Sequence, residues 1–374
     1  MSQPYYKTNE LARLAGISKN TLLRWEEEKL IPPAQRDGRG WRVWSKSTVD
    51  EILDIKRNKE TTKPSVSDSD GLRVNIIGYG NQASTWSKNL RDSGTQVNVL
   101  LRKQSSSIKE ANNDGFEVLS IEEGLRNDAG GIFCVLIPDE EHDGFFRTYK
   151  KYISRDSLFI FAHGYSVAYQ GIKFDAKKAL LAPKAIAKIM RSSYVSGETV
   201  PAVFCTESSQ DRTIIKNVAK KAGLFPLMQS TFLEETISDL FTEQMLMCGG
   251  VPALVVKTFE ILKKKGISEE IAAQECVYEL SYILDVIKEK GVAGMYEAIS
   301  PVAMSGGFKI WQNINKGESI DEVLKNSFSD IESKRFLHTV NTANRSRILS
   351  EVKKSSKNLD EALKVTMNQS SALN

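Results

Sequence analysis

Histidine and cysteine are scarce in this 374-residue sequence, which holds three of the first and four of the second. Cys134, Cys205, Cys248 and Cys276 stand far apart in apolar surroundings with no C-x-x-C pair. That excludes a zinc ribbon and a thioredoxin-type redox pair, and it leaves reduced core thiols as the expectation. No apolar run of membrane-span length stands out, and Met1 to Lys7 carries no signal-peptide pattern, so a cytoplasmic protein without membrane contact is expected. The composition is that of a globular chain, 41% hydrophobic and 26% charged, long enough for two or three domains.

Charge of one sign is nearly absent as a net quantity, at +4, but it is unevenly placed. The first 63 residues carry 13 Lys and Arg against 9 Asp and Glu, and the remainder balances. A basic head of this kind points to a polyanionic partner. Residues 9–16 read as a short helix ending at glycine, Ser18 suits the N-cap of a second helix, and residues 31–45 place aromatic and basic residues around Asp37-Gly38 and Gly40, as a hairpin wing requires. The order E-L-A-x-x-x-G-I-S-x-x-T-L-x-R-W-E-x-x-x-L-I-P-P, then G-x-R-x-W-S, resembles the winged helix-turn-helix of MerR-type transcription regulators. By that resemblance Lys19, Asn20 and Arg24 would face bases or phosphates of double-stranded DNA, and Arg36, Arg39 and Arg42 would meet phosphates from the wing. A winged module turned to protein contacts is the alternative, since Glu26, Glu27 and Glu28 add negative charge to the same helix.

Residues 58–71 are polar and without period, a linker. A strand then leads into Gly78-Tyr79-Gly80-Asn81-Gln82-Ala83 and a helix, the context in which a glycine pattern becomes a dinucleotide fingerprint. The next strand ends in Arg102 and Lys103 with Ser105, Ser106 and Ser107 behind them. A cation with hydroxyls, and no acid, suits a 2′-phosphate, so NADP(H) is the expected cofactor. Later strand ends carry Asp139, His163 and Lys184, where the carboxyl edge of a doubly wound sheet holds its ligand.

From Phe225 to about Val340 the pattern is helical. Asp239 and Glu243 stand four apart, as do Glu275 and Glu279, so each pair shares one helix face. Four carboxylates on two packed helices could hold hard cations such as Mg²⁺, or each pair could edge an amphipathic helix.

Residues 74–337 also resemble a known enzyme family. I-I-G-Y-G-N-Q, L-R-K-Q-S-S-S, L-I-P-D-E, F-A-H-G, A-P-K, T-F-L-E-E-T-I-S-D-L-F-T-E-Q-M-L-M-C-G-G and E-C-V-Y-E-L follow in order the segments of ketol-acid reductoisomerases of the shorter class. The resemblance implies conversion of 2-acetolactate-type 2-hydroxy-3-keto acids in branched-chain amino-acid synthesis, with NADPH and two Mg²⁺ ions. It makes Asp239 and Glu243 the metal ligands of one subunit. Glu275 and Glu279 match acids supplied by a partner, so a homodimer or a higher even oligomer is implied. His163, Lys184, Glu279 and Ser300 take catalytic positions, and Gly78, Tyr79, Gly80, Asn81, Gln82, Arg102, Ser105, Ser107 and Asp139 line the cofactor. One departure stands out, because the family's Gly-Pro-Gly-His after A-P-K is here Ala185, Ile186, Ala187 and Lys188.

The expected architecture is therefore a winged head (1–57), a linker (58–71), an α/β Rossmann domain with a doubly wound sheet (72–225), an all-α metal and dimer domain (226–345) and a polar tail (346–374) with one weak amphipathic helix. Two functions fit it: an enzyme carrying a DNA-binding head, or a regulator that uses a non-catalytic reductoisomerase domain to sense NADP(H) or a keto acid.

Overall fold

The computed structural model describes residues 5–15, 22, 26, 31–36, 41–45, 48, 52, 71–335 and 345–372. The chain divides into two compact units, Met1–Glu235 and Thr236–Asn374.

At the start of the first unit, β1 (Tyr5–Lys7), β2 (Gln35–Arg36) and β3 (Arg42–Ser45) form an antiparallel sheet in the order β1-β3-β2. Leu11 and Ala12 of the helix Thr8–Ala15 meet Leu22, Ile31, Trp44 and Ile52 in one small core, and Trp44 Nε1 donates to Thr8 Oγ1 at 3.3 Å. The β2–β3 pair falls within residues 31–45, where a hairpin wing is expected. Lys19, Asn20, Arg24 and Arg39 lie outside the described residues, as does most of the helix expected from Ser47.

The larger sheet of this unit has eight strands: β4 (Arg73–Ile77), β5 (Gln96–Leu101), β6 (Glu117–Ser120), β7 (Ile132–Val135), β8 (Leu158–Phe161), β9 (Lys177–Pro183), β10 (Val200–Thr206) and β11 (Leu224–Gln229). Their order is β11-β10-β9-β8-β7-β4-β5-β6. Strands β4 to β9 are parallel, whereas β10 runs against β9 and is parallel to β11. Pleating sends Val74 and Ile76 into the core on one face, with Trp86 and Ile215, and Ile77 into the core on the other, with Phe133, Phe146 and Phe161. Strands covered on both faces read as unbroken apolar runs, which is why L-F-I-F at β8 is buried throughout. Because β4 lies between β5 and β7, the chain reverses direction of progress there, and a crevice opens at the carboxyl ends of β4 and β7.

The second unit is helical. Phe259, Ala272, Ala273 and Cys276 pack with Leu359 and Ala362. Three expectations change here. Strand β11 reaches Gln229, past the domain boundary expected at Phe225. The weak amphipathic helix expected in the polar tail is 28 residues long, Arg345–Ala372, and its Leu359, Ala362 and Leu363 make an apolar stripe at helical spacing. Most consequentially, Phe232–Lys264 makes a helical run of 33 residues containing an 18-residue window with a mean hydropathy of 1.6, long and apolar enough by length and composition to cross a membrane. The run is broken into the helix Phe232–Thr242, a π-turn Glu243–Met247 and the helix Gly250–Lys264, with Cys248 and Gly249 in a turn between the last two. Pro252 instead sits in the first turn of the helix Gly250–Lys264, where its missing N–H has no helical partner to lose.

Among the described residues three π-helical turns occur: Ser166–Gln170 between β8 and β9, and Glu243–Met247 and Gln274–Glu279 between α-helical segments. The second depends on its glycines. In a π-turn the wider ring brings residue i against the carbonyl of residue i−5. A Cβ at Gly249 would collide with the Gln244 carbonyl oxygen, and one at Gly250 with that of Met245.

Candidate active site

The carboxyl end of β4 carries the glycine loop. Gly78 adopts φ +100°, and a Cβ there would lie 2.8 Å from the Leu136 carbonyl oxygen and 2.9 Å from Ile137 Cγ2, so only glycine lets the loop pass this close to the end of β7. Gly80 is different, because a Cβ on it would meet nothing within 4 Å. It precedes the helix Asn81–Asp92 as an N-cap without a side-chain cap bond. A bare helix start with open space beside its first glycine fits a pyrophosphate, whose charge the N–H groups and the helix dipole would attract. Asn81 is exposed there, and Gln82 Nε2 donates to the Ala185 carbonyl at 3.4 Å. Tyr79, expected on the cofactor, turns its side chain away. It is buried against Val99, Leu101 and Phe116, and its hydroxyl donates to Asp114 Oδ2 at 2.7 Å. Burial, then that hydrogen bond, push its pKa far up, so Tyr79 anchors the loop and offers a ligand only backbone. Arg102, next to β5, pairs with Glu141 at 3.6 Å but remains exposed, while Ser105 Oγ accepts from the Ser107 amide at 3.3 Å.

The carboxyl ends of β7, β8 and β9 bring together a denser group. Glu235, 2% exposed, accepts from Lys184 Nζ at 2.7 Å on Oε1 and from the Gly164 amide at 2.8 Å on Oε2. His163 lies between two carboxylates, with Nε2 3.8 Å from Glu235 Oε2 and Nδ1 3.5 Å from Asp139 Oδ2. Burial alone would raise the Asp139 pKa. The hydrogen bond with His163, the two histidine charges and the Ser166 hydroxyl outweigh it and hold Asp139 below the usual carboxylate range. Behind it, Ser166 Oγ lies 2.6 Å from His142 Nδ1, and His142 Nε2 is 3.0 Å from the Ile137 carbonyl. Burial lowers the His142 pKa against the pull of Asp139.

In the second unit Asp239 is half-buried, one turn beyond Glu235 in the helix Phe232–Thr242, and Glu243 is exposed at the start of its π-turn. Glu275 and Glu279 are exposed within the π-turn Gln274–Glu279. Among the described residues none of Glu243, Glu275 and Glu279 belongs to a group of three ligand-type side chains within 4.8 Å of one another. Ser300 caps the helix Pro301–Lys316, its hydroxyl accepting from the Ala303 amide at 3.2 Å. Of the wing arginines, Arg36 is exposed and Arg42 pairs with Glu26 at 3.2 Å. The other oxygen of Glu26 accepts from the Ala34 amide, so this acid fastens the wing. The four cysteines are free, but Cys248 is exposed and Cys205 only partly covered, unlike the expected core thiols.

Comparison with known proteins gives this arrangement a family. Residues 69–224 match the family model described as acetohydroxy acid isomeroreductase, NADPH-binding domain, and residues 232–369 the one described as ketol-acid reductoisomerase, C-terminal domain. The chain belongs to the ketol-acid reductoisomerase family. The family's NADP(+) enzyme from Sulfolobus acidocaldarius is 35% identical over 272 residues, covering 71% of this chain and 81% of that one. The one from Methanothermobacter thermautotrophicus is 34% identical over 264 residues, covering 68% and 80%. The solved structure of an NADH-preferring ketol-acid reductoisomerase from an uncultured archaeon superposes with a TM-score of 0.71 at 26% identity, over 83% of this chain and 97% of that one. Outside the reductoisomerase part, residues 7–44 match the model for MerR family regulatory proteins.

Where the family resemblance led to Gly-Pro-Gly-His, Ala185 to Ala187 are strapped to the glycine-loop helix. Besides Gln82, Thr85 Oγ1 donates to the Ala187 carbonyl at 3.4 Å, and Arg191 reaches Asn89 at 2.8 Å and Asp92 at 2.6 Å. Ile186 stays 69% exposed. The sequence reading passed over Glu235, Ser166 and His142. Glu235 had a usable signal, since it precedes Asp239 and Glu243 at intervals of four along one helix stripe. Ser166 and His142 had none, because their meeting depends on how two strand ends converge.

Proposed function

We propose that the chain is an NADPH-dependent ketol-acid reductoisomerase, acting on 2-acetolactate-type acids in branched-chain amino-acid synthesis in the cytoplasm. What carries the reading is the Lys184–Glu235–His163 group beside an open glycine loop, in a chain of this family. The reaction needs a tertiary hydroxyl deprotonated, an alkyl group shifted and the new ketone reduced. Glu235, compensated by the Lys184 ammonium and the Gly164 amide, is placed to take the hydroxyl proton on Oε2, beside His163 Nε2. The Lys184 ammonium stabilises negative charge that develops on the substrate oxygen in this water-poor edge.

Asp239 and Glu243 would hold Mg²⁺ with Glu275 and Glu279 of the partner subunit. Their all-oxygen donor set, half-buried to exposed on helices, suits a hard cation that keeps waters and substrate oxygens. Bound there, Mg²⁺ would supply Lewis-acid polarisation of the substrate oxygens. NADPH would lie along Gly78 to Gln82 and supply the hydride, with Arg102, Ser105 and Ser107 on its 2′-phosphate. Exposed Leu246, Leu254, Ile261, Val302 and Trp311 on the helical unit support assembly with a second copy. Purified protein given 2-acetolactate, Mg²⁺ and NADPH should oxidise NADPH. No oxidation above the substrate-free rate would remove the proposal.

A second reading rests on the MerR match and on the β2–β3 wing that Glu26 fastens. We infer that the head binds double-stranded DNA, with Arg36 and Arg39 on phosphates and Lys19, Asn20 and Arg24 in the groove. A fragment library shifted in gels should yield one class of sites, with affinity falling steeply in salt. Binding indifferent to sequence would remove it.

A further inference from the structure

We propose that Asp139 is a positioning residue: its carboxylate, braced by Ser166, sets the tautomer and direction of His163 so that Nε2 faces Glu235 and the reacting substrate. This rests on the reductoisomerase reading above, and it moves Asp139 from the cofactor to the proton-handling side of the site. Strands β7 and β8 are parallel neighbours, so the segments following them emerge side by side and place Asp139 next to His163. A carboxylate only accepts hydrogen bonds, and Asp139 Oδ2 lies 3.5 Å from His163 Nδ1. Glu235 also only accepts, but its Oε2 is farther, at 3.8 Å from Nε2, and already takes the Gly164 amide, so in the neutral ring the shorter contact keeps the proton on Nδ1 and leaves Nε2 the accepting nitrogen on the Glu235 side.

The brace is what makes this a built feature. Ser166 is fully buried and opens the π-turn Ser166–Gln170. Its Oγ lies 3.1 Å from Asp139 Oδ1 and 2.6 Å from Nδ1 of His142, itself 2% exposed, and its one hydroxyl proton serves one of the two at a time. Oδ1 is thus occupied from behind, and rotation of the carboxylate away from His163 would break that contact. Tyr165, next to the π-turn, holds its ring nearly parallel to that of His163, with centroids 6.2 Å apart and 4° between planes. An orienting carboxylate of this kind acts through the imidazole and touches neither substrate nor cofactor.

The test uses full-length protein labelled with ¹⁵N-histidine, which gives signals from three rings. In Asp139→Ala, the His163 nitrogen shifts should move from the Nδ1–H form towards the Nε2–H form. With 2-acetolactate, Mg²⁺ and NADPH, kcat should fall about 10²-fold or more while the NADPH Kd stays within about threefold. Ser166→Ala should move the same signals less far, and it decides the matter should Asp139→Ala fail to fold. An unchanged His163 tautomer in a folded variant would overturn the proposal, as would an NADPH Kd that rises in step with the loss of kcat. If the parent protein fails to turn over acetolactate, the enzyme reading falls, and the ¹⁵N shifts still test the positioning role.

Discussion

Lys184→Met isolates what the pair with Glu235 contributes. The substitution keeps an unbranched side chain one atom shorter and removes the charge, leaving a carboxylate that is 2% exposed without its ammonium. Breaking a buried pair from one side costs about 3–5 kcal/mol. Lys184 retains 29% side-chain exposure, so partial solvation of the vacated space brings the expected loss to about 3 kcal/mol. Glu235→Leu removes the other charge, and the double variant should recover part of the loss, giving a coupling energy of about 1.5–3 kcal/mol. Urea unfolding of the four proteins at one fixed subunit concentration measures it, since assembly would otherwise shift the midpoints. In parallel, Lys184→Met and Glu235→Gln should each lower kcat/KM by about 10²–10⁴-fold. A coupling below about 0.5 kcal/mol, the value of an exposed pair, would refute the claim that this pair is held out of water.

Gly80→Val should leave the urea midpoint unchanged, because its Cβ meets nothing, yet weaken NADPH binding about tenfold or more by titration; unaltered binding would take the cofactor off this loop. Gly78→Ala should behave in the opposite way, losing about 1–3 kcal/mol of stability from the positive φ and the contact with Leu136. His142 is held below its ordinary pKa by burial, so as pH falls through about 6.5 the unfolded chain takes up a proton that the folded chain does not. The stability from this group, full above that pH, should decline until the folded pKa is reached; Tm measured from pH 8 to 5 should lose that part of its slope in His142→Asn, and an identical slope would count against it. Gly249→Ala must rearrange the π-turn that begins at Glu243, and should both destabilise the protein by about 2 kcal/mol and raise the Mg²⁺ concentration needed for half-maximal activity; unchanged values for both would show the turn to be incidental.

The sheet was legible because each of its strands announces itself locally. R-V-N-I-I, V-N-V-L-L and L-F-I-F are β-branched or apolar runs with polar breaks, and the glycine pattern after the first marks the loop on which the crevice opens. The antiparallel entry of β10 was not legible, since strand direction depends on the connection and not on the strand's own residues. The same division holds at the site. His163 and Lys184 could be picked out because they directly follow apolar strands, and Asp139 likewise, but its partner could not: Ser166 stands 27 positions further along the sequence. Tyr79 was misassigned for a related reason. A residue inside a glycine loop is read as facing the ligand, whereas Asp114, 35 positions away, draws its hydroxyl inward.

The π-turns show where helical periodicity itself misleads. Spacing by four was read as one α-helical face for Asp239 with Glu243 and for Glu275 with Glu279. Asp239 and Glu243 keep that relation, because the π-turn begins only at Glu243, whereas Glu275 and Glu279 both lie within another. An α-helix satisfies each carbonyl four residues on, but here the Glu243 carbonyl accepts from the Cys248 amide at 2.6 Å, five residues on, so the backbone after Glu243 is displaced by one residue from the α-helical register. Such a bulge persists only where the sequence removes the side chains it would strike. Gly249 and Gly250 do so, and a glycine pair inside an apolar helix is otherwise unfavourable by about 1 kcal/mol per residue relative to alanine. The pair is therefore better explained by the shape of the turn that carries Glu243 than by chain flexibility, and M-C-G-G after an acid-bearing helix is the signal from which that turn could have been anticipated.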